Sequence, residues 1–313
     1  VLWVRLHTDA GIIGLGETFF GAGAVAAHIH DTLASRLLGR DPLRIEALHK
    51  ELVNLPMAQS STGTEYRAAS AIDIALWDLW GKVVGQPVHQ LLGGLCRDKL
   101  RVYNTCAGYQ YVRNRDIRPV NTWNLGDAGP YEDLAAFTTD AGALAENLLE
   151  SGINAMKIWP FDPAARETGG VDISLQQLKE GLRPFELIRK RVGDKMDIMV
   201  EFHSLWNLTS AKRIAHALDQ FQPTWYEDPI RMNSSQALAE YARSTHTPVC
   251  ASETLGSRWP YKEMLDRDAI GIVMVDLCWT GGLTEGRKIA AMGETYHKPF
   301  APHDCIGPVG FAA

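Results

Sequence analysis

The sequence predicts an α/β protein in which a (β/α)8-type, TIM-like barrel is preceded by an α+β capping domain. Three observations predict this fold. A hairpin and long helical patterns occupy the chain up to residue 98, short apolar runs alternate with amphipathic segments after it, and most of those runs end in an ionisable residue. We therefore expect a capping domain over residues 1–98 and a barrel domain over residues 99–313.

Length, charge and composition limit the classes of function. The 313 residues, 46% of them hydrophobic, are sufficient for one large domain or two domains with a sizeable core. A net charge of -6 and the lack of a Lys/Arg-rich run argue against nucleic-acid binding. No apolar stretch reaches the roughly 20 residues of a membrane span, and the start of the chain lacks the charged region of a signal peptide. We expect a cytoplasmic protein with a small-molecule partner and neither nucleic acid nor membrane as a partner.

The first predicted elements are a β-hairpin and two stretches of helix. Apolar and polar residues alternate over residues 1–17, on both sides of the turn signal Asp9-Ala10-Gly11. Apolar residues then recur at helical spacing through residues 24–53 and 65–84, and the second pattern ends at Gly85. These elements account for the α+β character of the capping domain.

Seven apolar runs after residue 98 are the predicted barrel strands. A helical pattern from Ser174 to Val192 separates the second run from the third. The chain stops at residues 310–313, just after the loop of the seventh run, so we expect the last strand to be missing and the barrel to be C-terminally incomplete. In chain order the runs are LRVYNTC, INAMKIW, DIMVEFH, TWYEDP, PVCASET, GIVMVDLC and PFAPHD.

Ionisable residues end these runs at a nearly constant spacing. Glu227 lies 26 residues after Glu201, and Glu253 lies a further 26 residues on. Asp276 follows after 23 residues and His303 after another 27. A barrel of this kind places the C-terminal ends of all its strands on one rim, where active sites lie. We therefore expect these side chains to converge on one cavity.

The three glutamates favour a metal site. Carboxylates that lie close together repel one another and stay ionised only beside a counter-charge. An all-oxygen ligand set without a Cys/His group favours a hard cation such as Mg²⁺. Separate salt bridges at three strand ends are the alternative, but the common register of the three residues favours the metal. Lys157, one run upstream, belongs to the same rim.

Three further motifs complete a resemblance that covers nearly the whole chain. They are Gly14-Leu15-Gly16-Glu17-Thr18, Ala71-Ile72-Asp73-Ile74-Ala75-Leu76-Trp77-Asp78 and Leu91-Leu92-Gly93-Gly94. Together with the rim residues, they make the chain similar to the enolase superfamily, mandelate racemase subgroup, and within it to acid-sugar dehydratases of the galactonate dehydratase kind. The resemblance implies that Glu201, Glu227 and Glu253 bind Mg²⁺.

The resemblance also implies the roles of two histidines. His303, oriented and kept basic by Asp276, removes the proton α to the substrate carboxylate, and the cation stabilises the enediolate. His203, two residues after the first metal ligand, donates a proton to the departing β-hydroxyl. The product is a 2-keto-3-deoxy sugar acid. We therefore expect a carbon–oxygen lyase that acts on an anionic sugar acid.

Two departures from the family's patterns narrow the expected activity. The Lys-x-Lys pair of the racemases is here Lys157-Ile158-Trp159, which disfavours two-base racemisation and leaves Lys157 to bind the substrate carboxylate or balance charge. The first metal ligand is Glu201, where galactonate dehydratases usually have Asp, and this disfavours galactonate itself. An epimerase, racemase or cycloisomerase on the same scaffold and a non-catalytic metal-binding module stay open as alternatives.

The resemblance leaves the particular sugar acid open. Trp206, Arg258 and Asn104 are candidate substrate-binding residues. The loop of residues 18–24 and the polar, aromatic segment of residues 108–130 are expected to set specificity. The family commonly forms homo-oligomers, so a homo-oligomer is expected.

Overall fold

The computed structural model describes residues 1–54, 62–108, 132–305 and 307–313. They form two compact units, Val1–Lys99 with Cys250–Ala313, and Leu100–Val249. The predicted division into a capping domain over residues 1–98 and a barrel domain over residues 99–313 stays a prediction. The predicted specificity segment of residues 108–130 lies outside the described residues except for Gly108. No helix in the described part of the chain is long and apolar enough to cross a membrane.

The described strands and helices follow the predicted order. The strands are β1 Leu2–His7, β2 Ile13–Thr18, β3 Ala155–Ile158, β4 Asp197–Glu201, β5 Trp225–Glu227, β6 Val249–Ala251, β7 Ile272–Asp276 and β8 Phe300–His303. The helices are α1 Ala22–His28, α2 Ala34–Leu37, α3 Ile45–Val53, α4 Thr64–Val84, α5 Val88–Leu91, α6 Asp133–Glu150, α7 Asp162–Thr168, α8 Leu175–Val192, α9 Leu208–Leu218, α10 Ser235–Ala242, α11 Arg258–Asp266, α12 Gly282–Thr295 and α13 Pro308–Ala312.

The hairpin and α4 pack so closely that the hairpin motif needs its glycines. Strands β1 and β2 pair antiparallel as predicted. A Cβ on Gly16 would lie 1.8 Å from the carbonyl oxygen of Ala71, and one on Gly14 would lie 2.1 Å from that of Ala75. The two motifs Gly14–Thr18 and Ala71–Asp78 are therefore the two sides of one backbone-to-backbone contact.

Helix α4 is the centre of the core of the first unit. Its residues from Ala68 to Trp77 are buried and pack with Leu48 and Leu52 of α3 and with Leu283 of α12. Burying a leucine or isoleucine side chain contributes about 1.5–3 kcal/mol. The helix ends at Gly85, which adopts the left-handed conformation with a φ of 65°.

Parallel strands occur in both units, as predicted. In the first unit β7 pairs with β6 and with β8. In the second unit β4 pairs with β3 and with β5. Their central residues are buried, in agreement with continuous apolar runs that are covered on both faces. Helix α8 begins at the predicted Ser174, whose side chain forms a capping box with Gln177.

The prediction of a full strand over LRVYNTC is wrong. Within this run only Asn104 pairs, through one isolated bridge to Met156. The Asn104 side chain accepts a hydrogen bond of 2.6 Å from the Cys106 N–H, and Cys106 has a positive φ of 48°. This local bond turns the backbone away from the neighbouring strand, and Leu100 and Val102 before it are exposed.

Candidate active site

A buried lysine joins two of the predicted metal-binding carboxylates in the second unit. Lys157 lies in β3, while Glu201 and Glu227 are the last residues of β4 and β5 and lie opposite each other in register. The Lys157 ammonium donates to Glu201 Oε2 at 3.0 Å and forms a second ion pair with Glu227. All three side chains are buried. The strand-end position predicted from the sequence thus brings these three residues together.

This cluster carries more negative than positive charge. One ammonium faces two carboxylates, although Glu227 Oε2 also accepts from Trp225 Nε1 at 3.0 Å and Glu201 Oε1 accepts from the His203 N–H at 2.7 Å. Charges removed from water cost several kcal/mol each unless they are compensated. Adjacent carboxylate oxygens are also the donors that Mg²⁺ prefers. The chemistry of this donor set therefore fits a magnesium ion.

His203 is held by a carboxylate that the sequence analysis missed. The residue follows β4 in a left-handed conformation with a φ of 50°. Its Nδ1 lies 2.9 Å from Asp162 Oδ2, and its ring packs against Trp159 with the centroids 5.5 Å apart. Asp162 is buried at the start of α7. The carboxylate orients the imidazole and directs Nε2 away from Asp162.

In the first unit, a carboxylate contacts each ring nitrogen of His303. Asp276 and His303 end β7 and β8 and are opposite each other in register. His303 Nδ1 lies 2.8 Å from Asp276 Oδ2, and His303 Nε2 lies 2.7 Å from Glu253 Oε2. Asp276 also accepts a hydrogen bond of 2.8 Å from the Cys278 N–H. Asp276 and Glu253 therefore fix the orientation of the ring from two sides.

The surroundings of His303 raise its proton affinity. Burial by itself lowers the pKa of the imidazole, but the Glu253 charge and the hydrogen bonds to Asp276 and Glu253 outweigh burial and raise the pKa well above its ordinary value. Burial raises the pKa of Asp276, and the hydrogen bond and charge of His303 oppose that rise. The two carboxylates thus favour the protonated form of the imidazole.

The three residues predicted to bind substrate make other contacts. Arg258 donates to both carboxylate oxygens of Glu285, at 2.8 and 2.6 Å. Asn104 Nδ2 donates to Asp133 at 3.0 Å. Trp206 is buried and lines a groove at the loops that follow β4 and β5. Their part in substrate binding stays a prediction.

Trp279 is a further neighbour of His303 that the sequence analysis missed. Its ring centroid lies 5.6 Å from that of His303, and its backbone N–H donates at 3.0 Å to the carbonyl oxygen of Asp276. Its place three residues after Asp276 was the available signal, because loops after barrel strands line active sites. Asp162 had the same signal, since it lies three residues after the predicted run INAMKIW, but no pattern paired it with His203, 41 residues away.

The comparisons with known proteins identify the family. Residues 140–313 match the model of the enolase C-terminal domain-like family, and residues 1–93 match that of the mandelate racemase / muconate lactonizing enzyme N-terminal domain. The chain belongs to the mandelate racemase and muconate lactonizing enzyme family of the enolase superfamily. The predicted fold class is confirmed: a TIM-like barrel domain preceded by an α+β capping domain.

Relatives and solved structures give the same assignment. The D-galactonate dehydratase of Ralstonia nicotianae is 32% identical over 321 residues, which cover 100% of this chain and 73% of that protein. An enolase of the mandelate racemase subgroup from Agrobacterium tumefaciens is 50% identical, with a TM-score of 0.86 over 98% of this chain and 76% of its own. An enolase protein from the Sargasso Sea is 44% identical, with the same TM-score over 98% and 75%. The prediction of a hydro-lyase is confirmed.

Proposed function

We propose that this enzyme is a Mg²⁺-dependent acid-sugar dehydratase. It removes the proton α to a carboxylate and eliminates the β-hydroxyl, which gives a 2-keto-3-deoxy sugar acid. The observation that carries the proposal is that two histidines, His303 and His203, each have Nδ1 held by a buried carboxylate. Elimination needs both a base and an acid, and two oriented imidazoles supply them. The galactonate dehydratases among the relatives support the same reaction class.

His303 is the base in this proposal. Its Nδ1 is bound to Asp276 at 2.8 Å, and Nε2, which faces the proposed metal ligand Glu253, is the nitrogen that accepts the α-proton. The Asp276 carboxylate stabilises the imidazolium that forms, since the two groups are buried together. The proton lost from carbon thus resides on Nε2 of His303 while the carbon–oxygen bond breaks.

His203 is the acid in this proposal. Nδ1 is engaged with Asp162 at 2.9 Å, and Nε2 is the nitrogen that delivers a proton to the departing hydroxyl. The hydroxyl leaves as water, and the enol that remains tautomerises to the 2-keto product. Trp159 and Asp162 fix the ring on two sides, so the proton is held in one place.

Glu201, Glu227 and Glu253 are the proposed Mg²⁺ ligands. When bound, the ion stabilises the negative charge that develops on the substrate carboxylate as its α-proton leaves. Lys157, already between Glu201 and Glu227, contributes a second positive charge for the carboxylate.

A screen of sugar mono- and diacids with Mg²⁺, with detection of 2-keto acids, tests the function. We expect formation of a 2-keto acid that is lost with a chelator. His303→Asn should abolish both the product and exchange of the α-proton with solvent, whereas His203→Asn should abolish only the product. His216→Asn is the matched control, because His216 is an exposed imidazole 3.6 Å from Asp219.

Three results would count against the proposal. Full turnover in both active-site variants would refute the assigned roles. Exchange of the α-proton in the wild type without a keto product would select the epimerase, racemase or cycloisomerase alternative. No exchange and no product across the whole set of acids would leave the non-catalytic metal-binding module.

A further inference from the structure

A guanidinium lies against two aromatic rings beside His303. The Arg67 Cζ atom is 5.5 Å from the centroid of the Phe20 ring and 5.4 Å from that of the Trp279 ring. Phe20 and Trp279 also touch each other, with centroids 5.2 Å apart. We call these three residues the Phe20–Arg67–Trp279 cluster. All of its members and His303 belong to the first unit.

Two donors of this cluster are buried without an acceptor among the described residues. They are Arg67 Nε and Trp279 Nε1. Trp279 is only 3% exposed, so water does not satisfy its indole N–H. A buried donor without a partner destabilises the folded protein, and more so when the donor is charged. The cluster is therefore built for an acceptor that comes from elsewhere.

The guanidinium also lacks a bonded counter-charge among the residues that the structure describes. Burial lowers the pKa of Arg67, and the charge of Asp276 only partly opposes this effect. Asp276 is already bound to His303 and to the Cys278 N–H. Since arginine does not lose its proton in proteins, the deficit is one of negative charge. An anionic acceptor would compensate the positive charge of Arg67, which a neutral hydroxyl would not do.

The cluster lies next to the proposed base. The centroid of the Trp279 ring is 5.6 Å from that of the His303 ring, and the same Trp279 ring also contacts Arg67. The reacting carboxylate of the substrate belongs with Mg²⁺ and Lys157 in the proposed mechanism. A substrate whose α-carbon lies at His303 therefore has the Trp279 ring as a neighbour, and the Arg67 guanidinium lies directly behind that contact.

We propose that the Phe20–Arg67–Trp279 cluster is a specificity site that binds a second carboxylate of the substrate, so that the enzyme prefers sugar diacids to monoacids. This inference rests on the proposed function. The planar guanidinium of Arg67 can donate hydrogen bonds to a carboxylate in its preferred geometry, and the Phe20 and Trp279 rings hold the guanidinium in place. The Trp279 indole N–H supplies a further donor.

Kinetics on a six-carbon aldonic acid and the aldaric acid of the same configuration test the preference. Wild-type enzyme should favour the aldaric acid, and Arg67→Gln should raise its KM about 10- to 100-fold, the range expected for a lost charge-assisted bond. The kcat for the aldaric acid should change little because Arg67 does not contact the reacting atoms, and the ratio of kcat/KM for the aldaric acid to that for the aldonic acid should fall because only the aldaric acid has a second carboxylate. An unchanged ratio of kcat/KM between the two acids would overturn the proposal.

Arg287→Gln is a matched control. The Arg287 guanidinium lies 5.4 Å from the Trp77 ring, and the residue is exposed, so this variant loses the same kind of contact away from His303. It should leave the preference unchanged. An equal loss of preference in both variants would point to a general effect on the fold and count against the specificity site.

A binding measurement separates this inference from the proposed function. Calorimetric titration of the aldaric acid with Mg²⁺ into His303→Asn and into the double variant His303→Asn/Arg67→Gln needs no turnover. Weaker binding by the double variant supports the specificity site, even if no acid is turned over by the wild type. Equal affinity, or no binding to either protein, overturns it.

Discussion

Replacement of Asp73 by asparagine should remove a large pH dependence of stability. Asp73 is buried in α4, and its Oδ2 accepts a hydrogen bond of 2.9 Å from the Thr284 N–H, while Oδ1 has no partner among the described residues. Burial raises the pKa of this carboxyl from 3.8 to about 7. The folded protein thus keeps a proton that the unfolded chain loses near its ordinary pKa.

The sign and size of the effect follow from linkage. A raised folded-state pKa means that the stabilising contribution is fully present below pH 3.8 and is lost as the pH rises to about 7. At about 1.4 kcal/mol per pKa unit, the whole loss is roughly 4 kcal/mol, and the part between pH 5 and pH 8 is roughly 2.5 kcal/mol. The asparagine side chain of the variant would keep the acceptor for Thr284 and carry no charge at either pH.

Urea unfolding of wild type and Asp73→Asn at pH 5 and pH 8 measures this contribution. From pH 5 to pH 8, the free energy of unfolding of the variant should rise by roughly 2.5 kcal/mol relative to that of the wild type, since all other groups titrate alike in both proteins. Asp31→Asn, which changes an exposed residue, is the control and should run parallel to the wild type. Parallel pH profiles for Asp73→Asn would refute the reasoning.

Three other substitutions have defined outcomes. Lys157→Met leaves two adjacent buried carboxylates without their ammonium, so the free energy of unfolding of the metal-free protein should fall by about 3–5 kcal/mol. Mg²⁺ should then raise the Tm of the variant more than that of the wild type. An unchanged metal-free Tm would contradict this prediction. Gly16→Ala should lower Tm sharply because the new methyl group has no space. Gly23→Ala, where a Cβ would meet nothing within 4 Å, should leave Tm unchanged. Equal Tm values for the two variants would disprove the close contact. Asp162→Asn should lower the rate of keto-acid formation about 10- to 100-fold, because the ring of His203 loses its supporting carboxylate. Exchange of the α-proton, measured by NMR in D₂O, should be retained. A proportional loss of both rates would contradict the separate role of His203.

Regular spacing made part of the site predictable. Glu201 and Glu227 are opposite each other because one βα unit separates them, and the same holds for Asp276 and His303. The hairpin, α4 and α8 followed from alternation, helical spacing and capping signals in the same way.

The rest depends on contacts that no local pattern encodes. Asp162 and His203 follow the neighbouring strands β3 and β4, but no sequence pattern pairs the two side chains, and Arg67 meets Trp279 although more than half of the chain lies between them. The first barrel run failed as a strand because a side-chain bond of Asn104 competed with pairing of the backbone, and such competition is decided by local geometry. A guanidinium that lacks an acceptor is likewise visible only once its neighbours are in place.

The split composition of the first unit has a consequence for biosynthesis. Residues 1–99 leave the ribosome well before the partners that complete this unit, which begin at residue 250. Trp77 donates a hydrogen bond to Thr284, and Ile72 belongs to the same core as Leu283. This part of the surface of α4 therefore stays uncovered until about 200 further residues have been made, which takes roughly 10–40 s at ordinary rates of translation. During that time the nascent segment exposes apolar surface that the finished fold buries, and such surface favours aggregation.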